Sequence, residues 1–187
     1  MLKTDFINRI YPLPPSAMQK LVAIAEPINF NKGAVIFEES KAEKFLYIIQ
    51  SGVARAYKMH EGSEITFWFG LEGDSIISIK NYVQGTKSYE TIEALEPILA
   101  YKINTDALKK LFETDIYIAN WGRCYAENEM LKTEERLISR QFKSATERYL
   151  ELLTTQPEII KRVALRHIAS YLGITQVSLS RIRSELK

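Results

Sequence analysis

Residues 163–187 read VALRHIASYLGITQVSLSRIRSELK, and the function of the whole chain turns on how that stretch folds. Leu165, Ile168, Ala169 and Leu172 recur at helical spacing, which predicts a short helix with one apolar face. Gly173 follows, where a left-handed C-cap costs a glycine little. Thr175 is placed to cap a second helix, whose inward residues are Leu179, Ile182 and Leu186. Ala169 supplies a small side chain four positions before the glycine, where the two axes must approach closely. Gln176, Ser178, Ser180, Arg181 and Arg183 fall between the apolar positions of the second helix and face outward. A helix that lies in a major groove needs such donors, to read base edges and hold phosphates.

Many all-α proteins carry two helices around a glycine without touching DNA, so charge matters. From Lys132 onward 11 Lys or Arg stand against 6 Asp or Glu, while residues 1–131 carry 14 against 17. Beyond Glu158 six basic residues face only Glu185. A chain with net charge +2 and a basic carboxyl end suits a polyanionic partner met by that end.

The 187 residues allow one large domain or two small ones, and 46% hydrophobic with 26% charged content is that of a soluble globular protein. Cys124 is the one cysteine, which excludes an intrachain disulfide and a four-thiolate cluster. His60 and His167 are far apart, so a structural zinc site lacks ligands and no cofactor is expected. The opening MLKTDFINRIYPLPPS has no apolar run of signal-peptide length, and no later segment approaches a membrane span. Cytoplasm is the expected compartment.

In chain order, Phe6, Ile7 and Ile10 form a short amphipathic stretch before the Pro12–Pro15 breaker. A helix from Ser16 carries Met18, Leu21, Val22 and Ala25 inward. After Pro27 the texture turns to short β-rich runs: 28–30, 34–37, 45–50, 54–59, 64–69, 76–79, 90–94 and 98–103. Turn residues separate them, Ser51-Gly52 and Glu72-Gly73-Asp74 among them. Eight short strands at this spacing predict a sandwich or jelly roll. Residues 106–131 then read as one long helix, apolar on more than one side through Leu108, Phe112, Ile116, Cys124 and Leu131. The strands can cover one side and a second copy of the helix another, which predicts a homodimer. A further helix is expected over 134–154, and Pro157 ends its continuation. The expected class is α+β.

With these elements in place, the chain resembles the Crp/Fnr family of bacterial transcription regulators along its whole length. SATERYLELLTTQPEIIKRVALRHIASYLGI and SLSRIR are similar to the carboxyl end of a subgroup common in Bacteroidetes, and FLYIIQSGVARAY has a strand turn of the family type at Gly52. The resemblance implies a cyclic-nucleotide-binding-type jelly roll over residues 1–105 with amino-terminal helices, a dimerisation helix over 106–131 and a helix-turn-helix DNA-binding domain over 132–187. Double-stranded DNA is the implied partner, with RNA polymerase a candidate further one.

Carried onto this sequence, the family's base-reading positions are Gln176, Val177 and Arg181. Arg181 can donate two parallel bonds to guanine O6 and N7. Relatives frequently carry glutamate where Val177 stands, and valine can only pack against a thymine methyl, so their operator does not transfer. Thr175, Ser178, Ser180, Arg183 and His167 are candidate phosphate contacts. In the roll, Gly73-Asp74 stands in place of the ribose-holding Gly-Glu pair and Lys87-Ser88 in place of the phosphate-holding Arg-Ser pair. Asp74 is a methylene shorter and Lys87 lacks the two-pronged geometry of arginine, so cyclic AMP is not the expected ligand. The roll is expected to sense an unidentified small molecule or to have lost its response. No catalytic constellation is present, because Ser40 and Ser51 have no histidine at a usable spacing. The competing class is a ligand-binding or protein-interaction module without DNA binding. No hairpin wing is expected after the final helix.

Overall fold

The computed structural model describes residues 5–186. Residues 1–4 of the expected amino-terminal domain and Lys187 of the expected carboxyl-terminal one lie outside the described residues. Two short helices, α1 (Asp5–Ile10) and α2 (Pro15–Ala23), lead into strands β1 (Ala25–Phe30), β2 (Val35–Phe37), β3 (Phe45–Ser51), β4 (Ala54–His60), β5 (Ser63–Gly70) and β6 (Ser75–Ile76). Helix α3 (Ile79–Gln84) separates these from β7 (Thr91–Ala94) and β8 (Ile98–Asn104). Six helices follow: α4 (Thr105–Thr114), α5 (Ile116–Phe142), α6 (Ala145–Thr155), α7 (Pro157–Arg162), α8 (Leu165–Leu172) and α9 (Gln176–Glu185). The class is α+β with an antiparallel core.

Two four-stranded sheets, ordered β1-β8-β3-β6 and β2-β7-β4-β5, face each other. The period-two alternation of a strand explains how both faces of the first sheet are buried. Tyr47, Ile49, Ile98 and Ala100 point between the sheets, where they meet Ala54, Ala56, Ile92 and Ala94. Their neighbours Leu46, Ile48, Tyr101 and Ile103 point the other way, into a layer made by Ile7, Leu21, Leu108, Ile118 and Trp121 of the helices. Val53 and Phe69 of the second sheet pack outward against the carboxyl-terminal helices.

Two expectations about helix limits are corrected. The helix expected over 106–131 is broken at Asp115, whose extended backbone and side chain cap α5 by accepting from the N–H groups of Tyr117 and Ile118. Lys20 holds that carboxylate at 2.7 Å and keeps it below the usual carboxylate range. The boundary expected between Leu131 and Lys132 falls inside α5, which runs on to Phe142 because no breaker intervenes. The true stop is Lys143-Ser144, where Ser144 and Glu147 form a capping box that starts α6. Among the strands, the run expected over 76–79 shortens to Ser75–Ile76, and Ile79 opens α3 instead. Among the described residues no helix is long and apolar enough to cross a membrane.

Candidate nucleic-acid interface

The helix-turn-helix is α8, Gly173 to Thr175, and α9. Gly173 adopts φ +69°, its N–H donates to the Ser170 carbonyl at 3.0 Å, and the Ile174 N–H donates to the Ala169 carbonyl at 3.0 Å. These two bonds satisfy the last carbonyls of α8 and turn the chain sharply. Thr175 then caps α9 by accepting from the Ser178 N–H at 3.1 Å. Ile168, Ala169, Leu172 and Leu179 are buried where the two helices cross, with Ile182 partly buried. Leu186, expected inward, is exposed because α9 outruns the surface it packs on.

The opposite face of α9 is open. Gln176, Val177, Ser180, Arg181 and Arg183 are all exposed, and Val177, Ser180, Arg181 and Ser184 line one shallow depression. Arg181 and Arg183 have no hydrogen bond or ion pair among the described residues, so both guanidinium groups remain available. Thr175 and half-buried Ser178 share a hydrogen bond of 2.9 Å between their hydroxyls, which ties them to the cap.

His167 departs from its expected role. It is 7% exposed, lies on the side of α8 that packs on β5, and its Nε2 accepts from Arg166 Nε at 3.2 Å. Burial, with the charges of Arg55 and Arg166 nearby, pushes its pKa down to about 4. Its burial and its bond to Arg166 make it a neutral packing residue in the single chain.

The helix-turn-helix does not hang free. The Ser170 hydroxyl donates to the Glu64 carbonyl at 2.7 Å and accepts from the Thr66 N–H at 2.9 Å, which places α8 against the outer edge of β5. Arg162 binds both oxygens of Glu72 and also reaches Glu96. The Phe69 and Tyr171 rings meet at 5.1 Å. Beneath them Arg55 is 2% exposed and is answered by Glu93, Glu64 and Thr66, with its guanidinium 4.3 Å from the Tyr57 ring centroid. None of these docking residues was singled out from sequence. Serines and alternating charges look like ordinary surface until the fold brings positions about a hundred residues apart together.

The four residues expected to form a ligand clamp in the roll make the following contacts. Gly73 turns the chain, and its N–H donates to the Ile49 carbonyl. Asp74 faces α5: it accepts from the Leu71 N–H at 2.9 Å and lies 3.6 Å from Lys132. The Ser88 hydroxyl is spent on the Glu38 carbonyl at 2.8 Å, and Lys87 is exposed. Between the sheets Tyr47 stacks edge-on with Phe30 and Phe37 at 5.3 and 5.8 Å, so aromatic rings fill that space.

Residues 27–115 match the family model of the cyclic nucleotide-binding domain. The matched stretch takes in both sheets of the β-sandwich and runs on through α4. Beyond it, most of the chain shares its fold with solved regulators. FixK2 from Bradyrhizobium japonicum is 23% identical, with a TM-score of 0.72 over 87% of this chain and 84% of that one. The c-di-GMP responsive global regulator CLP from Xanthomonas campestris is 15% identical, with a TM-score of 0.71 over 92% and 91%. A protein of Eubacterium rectale assigned to the Crp/Fnr family of transcriptional regulators is 18% identical, with a TM-score of 0.71 over 93% and 85%. At these identities the likeness is one of fold. No curated protein matches the sequence. Within the matched stretch, Asp74 accepts from the Leu71 N–H and Ser88 donates to the Glu38 carbonyl.

Proposed function

We propose that the chain is a homodimeric, sequence-specific DNA-binding transcription regulator of the Crp/Fnr type, with a degenerate sensor domain. The observation that carries this reading is the exposed face of α9, where unpartnered Arg181 stands beside Gln176 and Val177 on a helix locked from behind by buried Leu179. Arg181 reads guanine, Val177 packs against a thymine methyl, and Thr175, Ser178, Ser180 and Arg183 position the helix on phosphates. The strand orders 1-8-3-6 and 2-7-4-5 support reading the sensor as a jelly roll.

Dimerisation is supported by α5, which leaves Tyr117, Leu131, Ile138 and Phe142 exposed along one side. Tyr117, Leu131 and Ile138 are separated by 14 and 7 residues, multiples of the heptad at which a second identical helix packs, and Phe142 lies one turn beyond Ile138. Two reading helices related by that axis would enter successive major grooves about 34 Å apart on a near-palindromic site. The sensor accepts no cyclic nucleotide in this reading, since Asp74 and Ser88 are committed elsewhere.

A titration of mixed-sequence duplex DNA at several salt concentrations tests the proposal. A steep fall in affinity with salt is the expected result, each phosphate contact adding about 0.9 to the logarithmic slope. Absence of binding at low salt would leave an interaction module without DNA.

A further inference from the structure

A cleft of about 510 Å³ opens where β5, α5, α6 and α8 meet. Its lining includes Arg136 and Arg140 of α5, Arg148 of α6, Phe67 and Trp68 of β5 and Tyr171 of α8, whose hydroxyl is hydrogen-bonded to Arg136. Among the described residues none of the three arginines has an ion pair. Three of the four carboxylates in the same cleft already have partners: Lys132 and Ser139 within it and Lys143 outside it. Glu151 takes Lys143 at 2.8 Å and the Ser139 hydroxyl at 2.5 Å, and Glu129 and Asp74 share Lys132 at 2.7 and 3.6 Å. The lining holds four cations and four carboxylates, but Glu135 is the one lining carboxylate without an ion pair among the described residues, so three unpaired guanidinium groups stand against one unpaired carboxylate.

The arginines are also unequally occupied. Arg148 donates to the carbonyls of Lys143 and Leu172, and Arg136 to the Lys132 carbonyl and the Thr133 hydroxyl. Arg140 donates to no group among the described residues. A volume of this size is in the range that takes a small organic ligand. A planar guanidinium holds an anionic group in two-pronged fashion, and an aromatic wall takes the flat face of a ring. None of the residues of α9 lines the cleft, so occupancy leaves the reading face clear.

We propose that this cleft, outside the sandwich interior, binds a small anion carrying a planar ring, with Arg140 as its principal anchor and Phe67 and Tyr171 against the ring. Such a ligand touches the sensor domain through β5, the long helix through α5, and the head through α6 and α8. It therefore fixes how the three sit together. That last consequence rests on the regulator reading, whereas occupancy of the cleft does not.

The test uses the full chain and 8-anilinonaphthalene-1-sulfonate, an anion with planar rings, with binding read by energy transfer from tryptophan, since Trp68 lines the site. Saturable binding of one probe per chain is expected, weakened at least tenfold by Arg140→Ala and by Phe67→Ala. Lys161→Ala, on exposed α7 surface, leaves it unchanged. Thermal melts by circular dichroism establish that each variant is folded. Lack of saturable binding, or equal affinity in Arg140→Ala, overturns the proposal. A parallel DNA titration keeps the two readings separate: loss of DNA binding with probe binding intact removes the regulator and leaves the cleft.

Discussion

Arg162 on α7 grips the carboxylate of Glu72, ninety residues earlier in the chain, through two parallel hydrogen bonds of 3.0 and 2.8 Å. With the Arg162–Glu96 pair it ties the carboxyl-terminal helices to the β-sandwich. It holds the Glu72 pKa at about 2, chiefly through the guanidinium itself, and the same carboxylate also accepts from the Gly52 N–H. A carboxylate depressed in this way stabilises the docked state above its unfolded pKa, near 4.5, and loses that contribution as pH falls towards 2. Glu72 is partly exposed, so solvent screening reduces the contribution to about 1 kcal/mol. Glu72→Gln is therefore expected to lower stability at pH 7 by that amount and by almost nothing at pH 2.5. Urea denaturation at both values checks it.

His167 carries a pH dependence in a different window. Its pKa falls to about 4 in the folded chain from 6.5 unfolded, so between those values the unfolded chain binds the extra proton. Stability declines as pH drops from 6.5 to 4, by up to about 3 kcal/mol. Protonation also removes the acceptor that Arg166 uses. His167→Gln, which cannot titrate, is expected to flatten the melting temperature across pH 4–6.5. A curve as steep as that of the parent would show that His167 is not the responsible group.

For Arg181→Ala a loss of about 1–3 kcal/mol on the cognate site is expected, with a much smaller loss on random DNA. Comparing the two by fluorescence anisotropy distinguishes base reading from phosphate contact. Equal weakening assigns Arg181 to the backbone.

Gly52 closes the turn between β3 and β4 at φ +109°, and a Cβ there would lie 2.6 Å from the Pro97 carbonyl oxygen and 2.7 Å from Ile98 Cγ1. Both the backbone conformation and the space exclude a side chain. Gly52→Ala is expected to cost about 3 kcal/mol, measurable as a shift in urea midpoint at unchanged slope.

Charge on the open side of α5 tests the proposed dimer. Leu131 and Ile138 are 54% and 49% exposed in the single chain. The double variant Leu131→Glu, Ile138→Glu is expected to sediment as a folded monomer at concentrations where the parent is a dimer, and to lose most of its DNA affinity with the second half-site. A parent that is itself monomeric at tens of micromolar removes this helix face as an interface.

Most of the architecture could be read from residue patterns because those patterns are local. Alternation and turn residues located all eight strands, and Gly173 with Thr175 located the paired helices. The errors share one cause. Helix limits at Asp115 and Phe142 depend on caps, and a single aspartate or serine carries little weight against a long apolar pattern. His167 looked like surface because its concealment comes from β5, about a hundred residues away. The Ser170 and Arg162 contacts are of the same kind, as is the cleft, which exists only where β5, α5, α6 and α8 come together.

The serine on α8 has a consequence for how the protein behaves when heated or stressed. β5 is the outermost strand of its sheet, and Ser170 occupies one donor and one acceptor on its free side. Lifting the head away bares a template on which another chain can add a strand. Variants that loosen this seat should thus precipitate well below the temperature at which the sandwich itself melts, with the helix-turn-helix serving as the molecule's own guard against clumping.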